Sequence, residues 1–218
     1  MCGLKLFSYI IFILFGYLSG SILWSKIIAK IFYKHDIVEE NKDRNPGASN
    51  VFKTCGIFAG ICALILDLLK GFIPVYSSLF FVSTENIMFS LIIAAPVLGH
   101  IFPIFFKFKG GKAIASSFGT LIGLSFVSIM PLIILISLYI FFSVIIVFRP
   151  HTWRSVIVYV LFGFFSAFFV KNIYITAACV IIAVAVFLKH YISRDKNEPI
   201  SVTFLPRFSD KKSIESEQ

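Results

Sequence analysis

Apolar runs of about twenty residues follow one another almost end to end, at 4–31, 55–78, 87–106, 112–127, 130–148, 153–170 and 172–188. No other feature constrains the folding as strongly. In hydrocarbon the backbone must satisfy its own amides, so only helices or a closed barrel can span a bilayer. Barrel strands alternate polar and apolar residues, whereas these runs are apolar throughout and have the ~20-residue length of a spanning helix. Hydrophobic residues are 58% of the 218 and charged residues 14%, which excludes a soluble domain built on one core. The sequence thus predicts an all-α, polytopic integral membrane protein of about seven transmembrane helices. The first run is too long for the apolar part of a signal peptide and lacks an Ala-x-Ala-like site, so it is expected to stay as the first helix. Residues 1–188 form the expected membrane domain, and 189–218 a basic, polar tail.

Charge gives the orientation. Lys34, Lys42, Arg44 and Lys53 lie in the first long loop, and Lys107, Lys109 and Lys112 two connections later. Arg149 and Arg154 follow in a third connection, and Lys189, Arg194, Lys196, Arg207, Lys211 and Lys212 in the tail. Seven helices put all of these on one side, opposite little beyond Lys5, Glu85 and Lys171. The positive-inside rule then makes the basic side and the C-terminus cytoplasmic and leaves the N-terminus outside. Behind the net charge of +9, the basic residues cluster in these loops and not on a soluble face, which argues for a lipid bilayer as partner and against nucleic acid. Cys2, Cys55, Cys62 and Cys179 show neither metal-ligand spacing nor a paired framework, and no metal site is expected.

Four polar clusters fall on the basic side. One joins Gly20-Ser21 to the stretch from Asn45 to Thr54, where Arg44, Asn50 and Lys53 supply donors beside small residues. The same stretch reads equally as a turn and N-cap before the second helix. The second, Gly99 to Ala115, leaves an apolar helix through His100 and Pro103 and ends at Lys109-Gly110-Gly111-Lys112. Its lysines and bare glycine amides suit a phosphate at a membrane edge. A nucleotide-binding P-loop is excluded, because the upstream glycine and the hydroxyl residue after the lysine are missing. His100 lies inside the membrane, where a polar residue is a functional candidate. The third cluster, Arg149 to Ser155, offers two arginines and hydroxyls, either for a phosphate or as a Trp-anchored interface. The fourth is Lys189-His190. His190 and Asp195 have the spacing of a His-x4-Asp acyltransferase motif, but the tail has no room for the soluble domain that carries it. Separately, Asp67 and Lys70 stand three apart in the second helix, where they are expected to form an ion pair or a polar contact between helices.

These residues resemble the PlsY-type acyl-phosphate:glycerol-3-phosphate acyltransferases of bacterial membranes. Gly99-His100-Ile101-Phe102-Pro103 with Phe108-Lys109-Gly110-Gly111-Lys112 is similar to the family's G-H-x-F-P and F-K-G-G-K signature, and Asn45-x-Gly47-Ala48-Ser49-Asn50-Val51 to its N-x-G-A-[TS]-N-V. Gly56, Gly60 and Asp67-x-x-Lys70-Gly71 resemble its second helix, and Gly20-Ser21-Ile22 its G-S-I-P. The order agrees over 16–115. Several positions depart from the pattern: Leu23 replaces a proline, Ala113 a frequent glycine, and Lys42-Asp43-Arg44 a Gly-Ser-Gly. The second half keeps Arg149 and Thr152 of an R-Y-x-S-like run, and His190 of an H-R-x-N-I run without its arginine.

The resemblance implies acyl transfer from acyl phosphate to the 1-hydroxyl of glycerol 3-phosphate, without cofactor or metal, at the cytoplasmic face of a bacterial plasma membrane. It assigns catalysis to His100, His190, Asn50 and Lys112. Binding of substrate or phosphate falls to Ser21, Arg44, Ser49, Lys53, Lys109, Gly110, Gly111, Arg149 and Thr152. Two other readings stay open: a family member with a changed acceptor or no activity, and a small transporter of a phosphorylated solute with Asp67, Lys70 and His100 lining its path.

Overall fold

The structure is a computed structural model describing residues 2–194 and 201–204. Asp195, Lys196, Arg207, Lys211 and Lys212 lie outside the described residues, and so does any pairing of His190 with Asp195. Nine α-helices account for most of the described chain: α1 (Cys2–Ser21), α2 (Trp24–Phe32), α3 (Ala48–Cys55), α4 (Ile57–Ser78), α5 (Ile87–Ile101), α6 (Ile114–Leu124), α7 (Met130–Val144), α8 (His151–Phe169) and α9 (Ile173–Ile192). A 3-10 turn, Ile104–Phe106, follows α5. Five apolar stretches are long enough to cross a membrane: 6–32, 57–78, 87–106, 151–169 and 173–192.

Three expectations need correction. The first span is not one helix, because the chain leaves helical geometry at Leu23 (φ −90°, ψ 79°) and restarts at Trp24. The chain is also not wholly helical. Strand β1 (Ile146–Arg149) pairs antiparallel with β2 (Ser201–Phe204), which sets Arg149 opposite Ser201. The β-branched and aromatic content of Ile146-Val147-Phe148 favours an extended chain once α7 has ended. Finally, the last helix continues through Lys189 and His190 to Ile192.

The bundle is held by small residues that let backbones approach, as lipid tails give apolar side chains little reason to associate. A Cβ on Gly20 would strike the Pro96 carbonyl, one on Gly99 the Tyr17 carbonyl, and one on Gly119 the Leu68 carbonyl. Helix α1 therefore packs along α5, and α4 along α6. Gly119 meets Leu68 and Gly123 meets Phe72 and Tyr76, so α6 runs parallel to α4. The start of α6 is set back level with Leu64 to Leu68, well below the first residue of α4. Outward faces are apolar, with Leu6, Phe7, Ile57, Phe58, Phe164 and Phe168 all exposed, as a lipid-facing surface requires.

The two ends of the bundle differ. At one end Tyr9 Oη donates to the Ser83 carbonyl and Asn172 Nδ2 to Glu85 Oε1, gathering the connections that carry little charge. The lysine-rich connections meet at the other end.

Candidate active site

At the basic end, a cavity of about 340 Å³ opens between the first half of α4 and the set-back start of α6. Asn45, Ser49, Asp67, His100 and Lys112 bring polar groups to it, while Leu64, Leu68, Ile114 and Phe118 form an apolar wall. One recess thus offers both polar and apolar groups.

The loop 102–113 turns sharply to deliver Lys112. Pro103 accepts from Phe106 and Phe108, and Lys107 and Phe108 adopt left-handed backbone (φ 53° and 60°). Ala113 is left-handed too (φ 59°), in the position where the sequence pattern often has glycine, which adopts that geometry without steric cost. The amides of Gly111 and Lys112 are not bare. Gly111 N–H donates to the His100 carbonyl (3.1 Å) and Lys112 N–H to Asn45 Oδ1 (3.1 Å). The glycines serve close packing instead. A Cβ on Gly110 would strike the His100 and Ile101 carbonyls, and one on Gly111 would strike His100 Nε2.

Asp43, which the sequence marks only as a departure, organises the loop before α3. Its Oδ1 accepts from Asn50 Nδ2 (2.8 Å), and its Oδ2 pairs with Lys112 Nζ (3.1 Å). Burial alone would raise its pKa. The Asn50 bond, the charge and bond of Lys112 and the Asn45 amide outweigh that and hold it below the usual 3.8. Asn50 is buried and also donates to the Asn45 carbonyl (2.8 Å), so both its amide hydrogens are engaged. Ser21 is likewise buried. Its hydroxyl donates to the Tyr17 carbonyl (2.8 Å) and accepts from Ile104 N–H (3.4 Å), bracing the 3-10 turn.

Beneath the cavity lies a buried ionic group. Lys70 Nζ stands 2.8 Å from Asp67 Oδ1, 2.8 Å from the Ile22 carbonyl and 2.7 Å from His100 Nδ1. Asp67 Oδ2 accepts from Ser25 Oγ (2.7 Å). Two charges three apart in an apolar helix signalled the pair in the sequence. Its contact with His100 was not visible there, because it depends on how α4 and α5 are rotated.

The remaining expected residues surround this centre. The charges of Arg149, Arg154, Lys53 and Lys112 all act on His151, so the 149–155 cluster shares a rim with the α3 and α6 clusters. Lys112 and Lys189 act on His190, and Lys189 also acts on His100. His190 is buried, its Nδ1 is bonded to the Val186 carbonyl (2.9 Å), and its Nε2 meets no partner among the described residues. Arg44, Ser49, Lys53 and Lys109 are exposed at the same end, Ser49 alone of them lining the cavity; Thr152 is half-buried in the first turn of α8.

The fold and the site define a multi-helix membrane protein with a basic-rimmed recess lined by both polar and apolar side chains. Residues 10–195 match the sequence profile of one family, glycerol-3-phosphate acyltransferase. The chain belongs to this PlsY-type family. A relative named glycerol-3-phosphate acyltransferase from Wolbachia pipientis subsp. Culex pipiens is 37% identical over 183 residues, 84% of this chain and 91% of the relative. Another of that name, from Pseudoalteromonas translucida, is 42% identical over 117 residues, 53% of this chain and 57% of the relative. Across these relatives the chain thus spans from little more than half to nine tenths of their length. The crystal structure of PlsY, an integral membrane glycerol 3-phosphate acyltransferase, in its glycerol 3-phosphate form superposes with a TM-score of 0.72 at 27% identity. That match covers 85% of this chain and 89% of PlsY. The lysophosphatidic acid form gives 0.69 at 26%.

Proposed function

We propose that this protein transfers an acyl group from acyl phosphate to the 1-hydroxyl of glycerol 3-phosphate, yielding lysophosphatidic acid and phosphate. The cavity between α4 and α6 carries the reading: Lys112, Ser49 and His100 line it together with Leu64, Leu68 and Phe118. A phosphate and an acyl chain need such a mixed site. Acyl phosphate is already activated, so holding the glycerol hydroxyl against its carbonyl carbon and stabilising the developing charge can supply most of the rate. The hydroxyl oxygen bonds to that carbon, the carbon–oxygen bond to phosphate breaks, and the hydroxyl proton ends on the released phosphate. Lys112, Ser49 and Lys53 are assigned to phosphate, Lys109, Arg44, Arg149 and Thr152 to the rim, and His100 and His190 to hydrogen bonding and proton transfer. Asn50, Ser21, Gly110 and Gly111 shape the loops that hold these groups.

The same reading places seven crossings in a bacterial cell membrane, with the N-terminus outside and the active site cytoplasmic. Phe126, in the α6–α7 turn, packs on Tyr76 near the far end of α4 (ring centroids 4.7 Å apart), which supports two crossings by this short pair. Residues 1–188 make the membrane domain, and 189–218 the tail.

Asp43 favours one alternative, a changed acceptor, because its carboxylate already occupies Lys112 and Asn50. The test is an assay with labelled glycerol 3-phosphate and palmitoyl phosphate, run beside palmitoyl-CoA and a Lys112→Ala control. Lysophosphatidic acid made from acyl phosphate alone, and lost in the control, is the expected result. No product from folded protein would point to the changed acceptor, and solute flux into proteoliposomes without acyl donor would point to transport.

A further inference from the structure

The buried ionic group fixes where protons sit. A carbonyl oxygen can only accept, so Lys70 must donate to Ile22. Asp67, almost wholly buried beside it and accepting from Ser25 Oγ, would be an uncompensated carboxylate if Lys70 were neutral. Lys70 is therefore an ammonium, which has donors and no acceptor. At 2.7 Å from Lys70 Nζ, His100 Nδ1 has to accept. A neutral imidazole that accepts at Nδ1 carries its proton at Nε2. Nε2 lies next to Gly111 and near Asn45 Oδ1, and both His100 and Asn45 line the cavity. His190 has the reverse arrangement. Its Nδ1 lies against a carbonyl and so bears the proton, which leaves Nε2 with a lone pair.

We propose that Lys70 is a positioning residue that holds His100 as its Nε2–H tautomer, making His100 a hydrogen-bond donor to the bound phosphorylated substrate and not the base of the reaction. The site then presents two buried imidazoles in opposite proton states, and only His190 is left able to accept a proton at Nε2. The donor's role toward substrate rests on the acyl-transfer reading above; the tautomer itself does not.

The test separates the two. The chain has four histidines, so protein labelled with ¹⁵N-histidine in nanodiscs gives a spectrum that single His→Gln variants assign. For His100 the expected spectrum shows an unprotonated Nδ1 and a protonated Nε2, and for His190 the reverse. In Lys70→Met, His100 should lose this fixed state and show protonation at Nδ1. A protonated Nδ1 on His100 in the unsubstituted protein, as tautomer or as imidazolium, overturns the proposal even if Lys70→Met does not fold. In the acyltransferase assay, His100→Gln, whose amide can still donate, should keep kcat within about tenfold, while His100→Ala should lose about 10²–10³, the usual loss when one such donor is deleted. Equal losses in both would overturn the donor role. An unsubstituted protein with the expected tautomers but no lysophosphatidic acid would refute the acyl-transfer reading and leave the Lys70–His100 assignment standing.

Discussion

Asp43 shows how far a single side chain can set the behaviour of this site. Its carboxylate pairs with Lys112 and holds Asn50, so on the proposed function a phosphate that binds Lys112 competes with it. Asp43→Asn should therefore lower the KM for glycerol 3-phosphate several-fold in steady-state kinetics, whereas Lys112→Ala should raise it. The same residue gives a pH signature. Its folded pKa lies below the ordinary 3.8, so its contribution to stability is complete above about pH 3.8 and is lost as pH falls through the lower, folded value. Thermal unfolding should find the unsubstituted protein more stable than Asp43→Asn at pH 7, with the gap closing below pH 4. Gly111→Ala tests the packing of the loop. Its methyl would meet His100 Nε2, and a loss of at least about tenfold in kcat/KM with little change in unfolding temperature is expected. At this scale the sequence was partly legible. His100, Ser49 and Lys112 stand out in the sequence as candidates, and the structure brings all three to the cavity. Asp43 and the contact of Lys70 with His100 were not legible, since one departs from the family pattern and the other depends on helix rotation.

Helix existence followed directly from hydrophobicity, but helix ends did not. Hydropathy reports which residues tolerate lipid. It cannot locate a break such as Leu23, where tertiary partners rather than a proline or glycine interrupt the helix. It also gave α6 and α7 more length than they have, at 11 and 15 residues or roughly 17 and 22 Å. Contacts between helices are the sharper test of this architecture. Gly20→Ala and Gly119→Ala should each lower stability by about 1–3 kcal/mol, because each adds a methyl where a neighbouring backbone already sits. Ile122→Ala, at a more exposed position one turn along α6, should change unfolding temperature far less. Equal effects at all three positions would contradict the close α1–α5 and α4–α6 packing.

Across the whole molecule, charge divides the two ends, and that division was readable from the order of lysines and arginines alone. Orientation can be measured on a variant lacking its natural cysteines. A membrane-impermeant thiol reagent applied to intact cells should label Glu85→Cys at once and Lys34→Cys only after permeabilisation. The reverse pattern would place the cavity on the outer face. Residues from α3, α4, α5, α6 and the loops before α3 and α6 converge on one recess, so the recess exists only when the bundle is assembled. The interruption at Leu23 takes on a further meaning here. A continuous helix exposes no ends within the bilayer, but a broken one presents two, and their backbone dipoles have opposite sign. At the carbonyl end of α1 the Ile22 carbonyl accepts from the Lys70 ammonium, and at the amide end of α2 the Ser25 hydroxyl donates to the Asp67 carboxylate. Each half-helix thus offers its complementary pole to one member of the ion pair, and the first span works as an electrostatic socket for charges that hydrocarbon would otherwise expel.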